Sequence, residues 1–393
     1  MNEDLLAMIR SNVREPVQVI GDVYALIACN EIGGRRLVAM MREFALPDLD
    51  MLGEAIISRS RQGMTEAIGR LPQGTWTAAM RIDGYEAPID LVGTLTIAGD
   101  TIHVDYTGTS GMSSYAINCP MCSTEAYTTF GVNCVVAPHI PNNTGTLDAV
   151  RVTAPEGTIL SATHPAAVYA RSVMGHMLPD VVYGCLDQAL PGRVPAEGTS
   201  NLWTLNLIAG HGLTGIGRAA GTAFMVNSFH SGGAGARPQQ DGLSATPFPS
   251  GVRNVPVEAT EAITPLVIWR KELRQDSGGV GRQRGGLGQV MEIGSREAAA
   301  FGIFARFERV KYPARGRHGG GEGQAGRLSL KSGAELKPKG LAVVPSGDRL
   351  VVEMPGGGGM GPPKDRDPEA VRRDVRLGYV SPEAANREYG IKA

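Results

Sequence analysis

Val17, Ile20, Tyr24 and Ile27 recur every three or four residues, the spacing that lines apolar side chains along one face of a helix. Pro16 stands just before them, where a first helical turn tolerates proline. The pattern predicts a helix from residue 16, broken or kinked at Gly33-Gly34 and resumed by Leu37, Met40, Met41 and Phe44. A second helix is expected over 52–71, stopping at Pro72. The period then changes. Leu91, Gly93, Leu95 and Ile97 alternate with their neighbours, as do Ile102, Val104 and Tyr106, and Gly99-Asp100 lies between them. Two strands joined by a tight turn follow from that pattern.

From there to about residue 300, short apolar stretches are separated by Gly, Pro, Asn and Ser. One helix is expected over 172–190 and strands over 266–273 and 289–293. A last β segment runs through 328–330, 341–344 and 350–354, and the glycine-rich loop 356–361 closes it as a turn. Asp367-Pro368-Glu369 and Ser381-Pro382-Glu383 each offer a cap, a first-turn proline and an acid at the positive end of a helix dipole. Gly378 and Gly390 suit the ends of those two helices. The reading is an α+β chain, β-rich and glycine-rich, with a helical N-terminal segment and two short C-terminal helices. Its expected division is a helical segment over 1–72, a β-rich core over 73–300, a further β-rich segment over 301–361 and a helical tail over 362–393.

Composition narrows the partners. The net charge of -1 gives no electrostatic footprint for nucleic acid or an anionic membrane. No apolar run reaches the roughly 18 residues that span a bilayer. The start Met1-Asn2-Glu3-Asp4 lacks the basic-then-apolar pattern of a signal peptide. Five cysteines, an odd count, then read as reduced thiols of a cytoplasmic protein. With 53 glycines and no three-residue period, collagen is excluded and close backbone approaches are expected.

Individual motifs carry limited chemistry. Gly356, Gly358 and Gly361 fit a dinucleotide fingerprint, but Pro362-Pro363 follows where a helix is required. No P-loop motif occurs. Cys119 and Cys122 have half of a zinc-ribbon spacing and read as a buried thiol pair, because structural zinc needs four ligands. His176 and Asp180 stand one helical turn apart, which is both a ligand spacing and an ordinary surface spacing. His211 and His230 each have the chemistry of a general base or of a hydrogen-bonded structural residue. The stretch 231–258 sets Arg237, Asp241, Asn254 and Glu258 among glycines. Two readings fit it: fixed donors around a carbonyl substrate, or charges that satisfy buried backbone. The same pair of readings applies to Arg282 and Arg284 within 276–286.

The ordered series Asp105-Tyr106-Thr107-Gly108, Ile117-Asn118-Cys119-Pro120, Pro141-Asn142-Asn143-Thr144-Gly145, Gly233-Ala234-Gly235-Ala236-Arg237-Pro238, Arg253-Asn254-Val255-Pro256-Val257-Glu258, Asp276-Ser277-Gly278-Gly279 and Pro355-Gly356-Gly357-Gly358-Gly359 resembles the hydantoinase B / 5-oxoprolinase family. The resemblance spans essentially the whole chain. It implies a subunit of an ATP-dependent cyclic-amide hydrolase, with ketone carboxylase subunits and a non-catalytic scaffold as alternatives. It also implies ATP and Mg on a hydantoinase A-like nucleotide-binding subunit. The family's metal-binding His-x-x-Asp and later His match nothing here, since His103 is the first histidine. A divalent metal such as Zn or Mn is therefore expected on a short N-terminal hydantoinase B-like partner, and none on this chain. The residues expected to act are Asp241, Asn254 and Glu258 in catalysis, with Asn118 and Arg237 binding the small-molecule substrate. Arg237 would hold an anionic or carbonyl oxygen, Asp241 or Glu258 would orient water or act as base, and Asn254 would donate to a developing oxyanion.

Overall fold

The computed structural model describes residues 2–13, 15–210, 222–246 and 248–392. The chain forms two units, residues 1–60 and 61–393. The first holds α1 (Glu3–Asn12) and α2 (Pro16–Glu43). The Asn2 side chain caps α1 by accepting from the Asp4 and Leu5 amides. Helix α2 runs without interruption through Gly33-Gly34, against the expected break. Two glycines cost about 1 kcal/mol each relative to alanine, too little to stop a long helix whose other residues favour it. No residue of α2 is buried.

The larger unit begins within α3 (Asp50–Gly69), whose Met64 and Ile68 enter its first core. That core lies under a four-stranded sheet of order β1-β2-β3-β4: β1 (Gly74–Ile82), β2 (Ile89–Ala98), β3 (Thr101–Asp105) and β4 (Val150–Thr153). Strict alternation along β2 puts Leu91, Leu95 and Ile97 inside. The β2–β3 turn falls at Gly99, with φ +61°. Strand β4 joins β3 in parallel. Helix α4 (Met121–Val136), absent from the periodicity reading, packs on β4 and on α7 (Leu178–Ala189), which covers β1 and β2. Its small residues Thr124, Thr128, Thr129 and Gly131 are buried, so no apolar stripe marks it. The short α5 (Thr144–Leu147) and α6 (Ser172–Gly175) connect these elements. The single helix expected over 172–190 is thus α6 and α7, separated at His176-Met177. Pro179 has no N–H to continue the hydrogen-bond ladder, which accounts for the separation.

The second core lies between two antiparallel sheets. One has the order β11-β9-β5-β6, built from β5 (Trp203–Ala209), β6 (Phe224–His230), β9 (Phe301–Arg306) and β11 (Lys339–Val344). The other is β10-β12-β8-β7, built from β7 (Leu266–Leu273), β8 (Gln289–Ser295), β10 (Arg327–Leu330) and β12 (Leu350–Glu353), with α8 (Val257–Ile263) ahead of β7. Trp203 stacks on Phe307 at 4.1 Å in its centre. Pairings β5–β9 and β8–β12 join chain from both sides of residue 300. The tail carries α9 (Pro368–Arg376) and α10 (Pro382–Tyr389). Asp367 and Ser381 cap them as expected, and Gly378 and Gly390 adopt φ of +72° and +68°.

The glycines have another use than turns. Segments 232–236, 277–286, 314–323 and 355–361 lie side by side, linked by backbone bonds such as Gly357 N–H to Gly286 O at 3.0 Å and Ala236 N–H to Gly358 O at 2.8 Å. A Cβ on Gly233 would sit 1.8 Å from Gly286 O, and one on Gly356 would sit 1.7 Å from Ser277 O. Stretch 356–361 is therefore a packed layer, not the closing turn that the sequence suggested. Its consecutive N–H groups donate to the carbonyls of Gln324, Gly286, Glu197, Gly321, Gln283 and Arg317. None remains to cradle a phosphate. Among the described residues, no helix is long and apolar enough to cross a membrane.

Candidate functional site

The five residues expected to act do not converge. Asn118 is buried, and its amide is consumed by backbone: Oδ1 accepts from Ser113 N, and Nδ2 donates to the carbonyls of Ser113, Tyr115 and Ala167 at 2.9–3.0 Å. It is a clasp for its own loop rather than a substrate ligand. Asp241 accepts two bonds from Arg366, at 2.7 and 2.8 Å, and one from Arg284 N at 2.7 Å. Burial opposes its ionisation, but the Arg366 guanidinium holds its carboxyl below the usual range. So engaged, it is poorly suited to the base role. Arg366 also meets Asp374 at 2.7 Å, and Asp374 meets Arg284 at 3.1 Å. This network fastens the tail to the glycine layers. Arg237 donates to the Asp241 carbonyl oxygen at 3.0 and 3.3 Å. Asn254 and Glu258 are exposed, with Glu258 in the first turn of α8. No hydrogen bond or ion pair links them to Arg237 or Asp241 among the described residues.

The other candidates sort as cleanly. Cys119 is buried but Cys122 is exposed at the start of α4, so they do not form the buried pair expected. His230 is buried on β6 with its Nε2 2.7 Å from Ser228 Oγ. Burial, aided by the charge of Lys271, pushes its pKa down to about 3. His211 lies outside the described residues. Asp180 belongs to a buried ion network rather than to a site shared with His176. Its Oδ2 accepts from Ser200 Oγ at 2.6 Å, Gly198 N at 3.2 Å and Arg309 at 3.4 Å, while Glu197 takes Arg309 and Arg315. Burial and the negative charge of Glu197 raise the Asp180 pKa. Among the described residues no three His, Cys, Asp or Glu side chains are grouped to hold a metal.

A cavity of about 230 Å³ is lined by several polar residues. Its lining includes Tyr169, His176 after α6, Asn201, Asn206 on β5, Asn227 on β6 and Arg306 on β9. Strand alternation explains the convergence. Trp203, Leu205 and Leu207 face the core, so Thr204 and Asn206 face outward. Asn227 is the register partner of Asn206, and β9 flanks β5 on the other side. His176 follows α6 and meets the Tyr127 ring edge-on at 5.4 Å. Burial alone lowers its pKa to about 4, so it is neutral at neutral pH. His176 Nδ1, Asn201 Oδ1 and Asn206 Oδ1 are all buried without a hydrogen-bond partner. Arg306 lies 5.5 Å over the Tyr169 ring, with no carboxylate partner among the described residues. Each unsatisfied buried atom costs on the order of 1–3 kcal/mol, and three in one cavity mark a place shaped for a polar guest. Sequence reasoning singled out His176 but missed Asn201, Asn206 and Arg306. The polar members of an alternating strand were the available signal for Asn206.

The fold agrees with what comparison with known proteins finds. Residues 1–363 match the model of the hydantoinase B/oxoprolinase family, and the chain belongs to that family. It is 29% identical over 416 residues to the B component of a putative D-/L-hydantoinase of Pseudomonas sp. (strain NS671), covering 98% of this chain and 67% of the relative. It is 28% identical to the beta component of the caprolactamase of Pseudomonas jessenii, covering 99% of this chain and 69% of that one. The crystal structure of the ATP-dependent caprolactamase of that organism superimposes with a TM-score of 0.86 over 100% of this chain and 69% of its own, at 23% identity. A nucleotide-free acetone carboxylase gives 0.78 over 99% of this chain and 59% of its own, at 20% identity. At those identities the structures speak for the fold. The chain spans about two thirds of the length of the hydantoinase and caprolactamase relatives.

Proposed function

We propose that this chain is a subunit of a cytoplasmic, ATP-dependent hydrolase that opens a cyclic amide, and that the cavity at His176 holds the ring. One observation carries the assignment of the site: Asn201, Asn206 and His176, each with a buried side-chain atom that has no hydrogen-bond partner, line a single cavity. A ring amide is held cis, with its N–H beside its C=O. A side-chain amide offers the complementary pair, a carbonyl that accepts and an NH₂ that donates. A cavity of about 150 Å³ admits benzene, so this one has room for a single substituted ring.

In this reading Asn201 and Asn206 orient the ring. Arg306 lies where a guanidinium stabilises charge growing on the carbonyl oxygen. His176, kept neutral by burial, adds one directional hydrogen bond and no charge. ATP with magnesium, on a hydantoinase A-like subunit, supplies phosphoryl activation of the carbonyl. Stretch 356–361, whose amides are all engaged, fits no phosphate, so no step of that activation is assigned to this chain. The described residues likewise fit no divalent metal, and a short hydantoinase B-like partner is the proposed source of one. Support for the hydrolase reading comes from the hydantoinase and caprolactamase relatives. The acetone carboxylase likeness favours a second reading, a ketone carboxylase subunit.

Reconstitution of the chain with its nucleotide-binding and short hydantoinase B-like partners tests both. The expected result is ATP-dependent ring opening, with Asn206→Ala raising KM about tenfold, the loss of roughly 1.4 kcal/mol of binding. Product formation that requires bicarbonate identifies the carboxylase instead. Unchanged kinetics in Asn201→Ala and Asn206→Ala would remove the cavity from the reaction.

A further inference from the structure

A second cavity, of about 380 Å³, borders α7 and differs in chemistry. Its walls are mostly apolar, including Val135, Tyr183, Leu243 and Phe248, with the Tyr183 and Phe248 rings stacked at 6.3 Å. Three charged side chains reach it: Asp180, Arg193 and Arg237. The two arginines have no carboxylate partner among the described residues. Among the described residues, the Arg237 side chain donates to the Asp241 carbonyl oxygen alone, and the Asp241 carboxylate is taken by Arg366. Among the described residues, the hydrogen bonds to the Asp180 side chain run through Oδ2 and none uses Oδ1.

Guanidiniums without counter-ions bordering an apolar enclosure select a carboxylate that carries an apolar chain. The free Asp180 oxygen selects an N–H donor on the same molecule. An uncharged ring amide offers a donor but no carboxylate. Hydrolysis of a ring amide creates both features: the oxygen of water joins the carbonyl carbon, the C–N bond breaks, and the nitrogen leaves with a proton, giving a carboxylate and an amine on one chain. We propose that this second cavity binds the ring-opened product, an ω-amino acid, with its carboxylate at Arg193 and Arg237, its methylenes against Tyr183 and Phe248, and its amino group at Asp180. The class of ligand rests on the hydrolase reading; the site does not share residues with the ring cavity. It gives the enzyme a place where product is held apart from substrate.

Isothermal titration of the full chain with 6-aminohexanoate, hexanoate, hexylamine and ε-caprolactam tests this. The expected order is 6-aminohexanoate tightest, with hexanoate about tenfold weaker for want of the donor and hexylamine weaker still. Arg237→Gln should lower 6-aminohexanoate affinity at least tenfold. Leu243→Trp, at a half-exposed position of the lining, should abolish it by narrowing the cavity, while Asn206→Ala should leave it unchanged. Equal affinity for hexanoate and 6-aminohexanoate, insensitivity to both cavity variants, or no binding at all overturns the proposal. If 6-aminohexanoate binds as described but the reconstituted complex opens no ring, the site stands and the hydrolase reading falls. If rings open with Asn206 dependence and the amino acid does not bind, the second site alone falls.

Discussion

His176 carries the largest pH consequence that a single side chain of the ring cavity can have. Burial holds its folded pKa at about 4, against about 6.5 in an unfolded chain. The folded state therefore binds the proton less well than the unfolded state. Stability is complete above about pH 6.5 and is lost as pH falls from there toward 4, by about 3 kcal/mol at the end of that window. His230, held lower still, adds to the same slope. Urea unfolding of His176→Gln between those pH values should show a shallower loss than the unaltered chain, and an identical slope would refute the burial argument. Asp241 works in the opposite sense to a free base. Removing it by Asp241→Ala leaves Arg366, whose side chain is 2% exposed, with a buried charge and one carboxylate fewer. A loss of about 3–5 kcal/mol is expected, read as a lowered urea midpoint. At this scale the sequence showed which residues are charged and set among glycines, but not their partners. The distances from Asp241 to Arg366 and from Asp180 to Arg309 close over 125 and 129 positions of chain, and no local pattern announces them.

At the scale of elements, local rules sufficed where local forces decide. The caps at Asp367 and Ser381, the turn at Gly99 and the alternation of β2 are short-range chemistry, and all were legible. Helix α4 was not, because burial of its small polar residues replaces the apolar stripe that a half-exposed helix shows. The glycine layers failed for a related reason. Glycine reads as a turn former, yet here it serves as the only side chain thin enough for backbone to meet backbone. Gly356→Ala would force a Cβ to within 1.7 Å of Ser277 O, and since backbone cannot rotate away as a side chain does, the neighbouring segments must part. Overpacking typically costs about 1–3 kcal/mol, and a clash with hydrogen-bonded backbone belongs at or above the upper end. Gly99→Ala, whose Cβ meets nothing within 4 Å, carries only the strain of its positive φ and should cost about 1 kcal/mol. Thermal unfolding of the two variants should separate them clearly, and equal losses would show the layers to be more compliant than their geometry implies.

At the scale of the molecule, the cavities arise where separately folded layers meet, which is why neither was visible in the chain's order. The ring cavity takes His176 from the helical layer and Asn206, Asn227 and Arg306 from one face of a sheet. Its contents can be tested without a partner. Binding to a preformed cavity depends on this chain alone, whereas turnover in the proposed reading depends on a second subunit that activates the carbonyl. The chain by itself should then bind a cyclic amide with an affinity that Asn206→Ala weakens about tenfold, yet leave the ring intact with ATP present. Adding the nucleotide-binding and hydantoinase B-like subunits should bring about ring opening while leaving the ratio of wild-type to Asn206→Ala affinity as it was, since the interaction lost is the same in both settings. Titration calorimetry for binding and chromatography of the opened product for turnover measure the two independently. A ratio that changes on assembly would mean that the partner reshapes the cavity, and ring opening by the isolated chain would mean that activation does not need a second subunit.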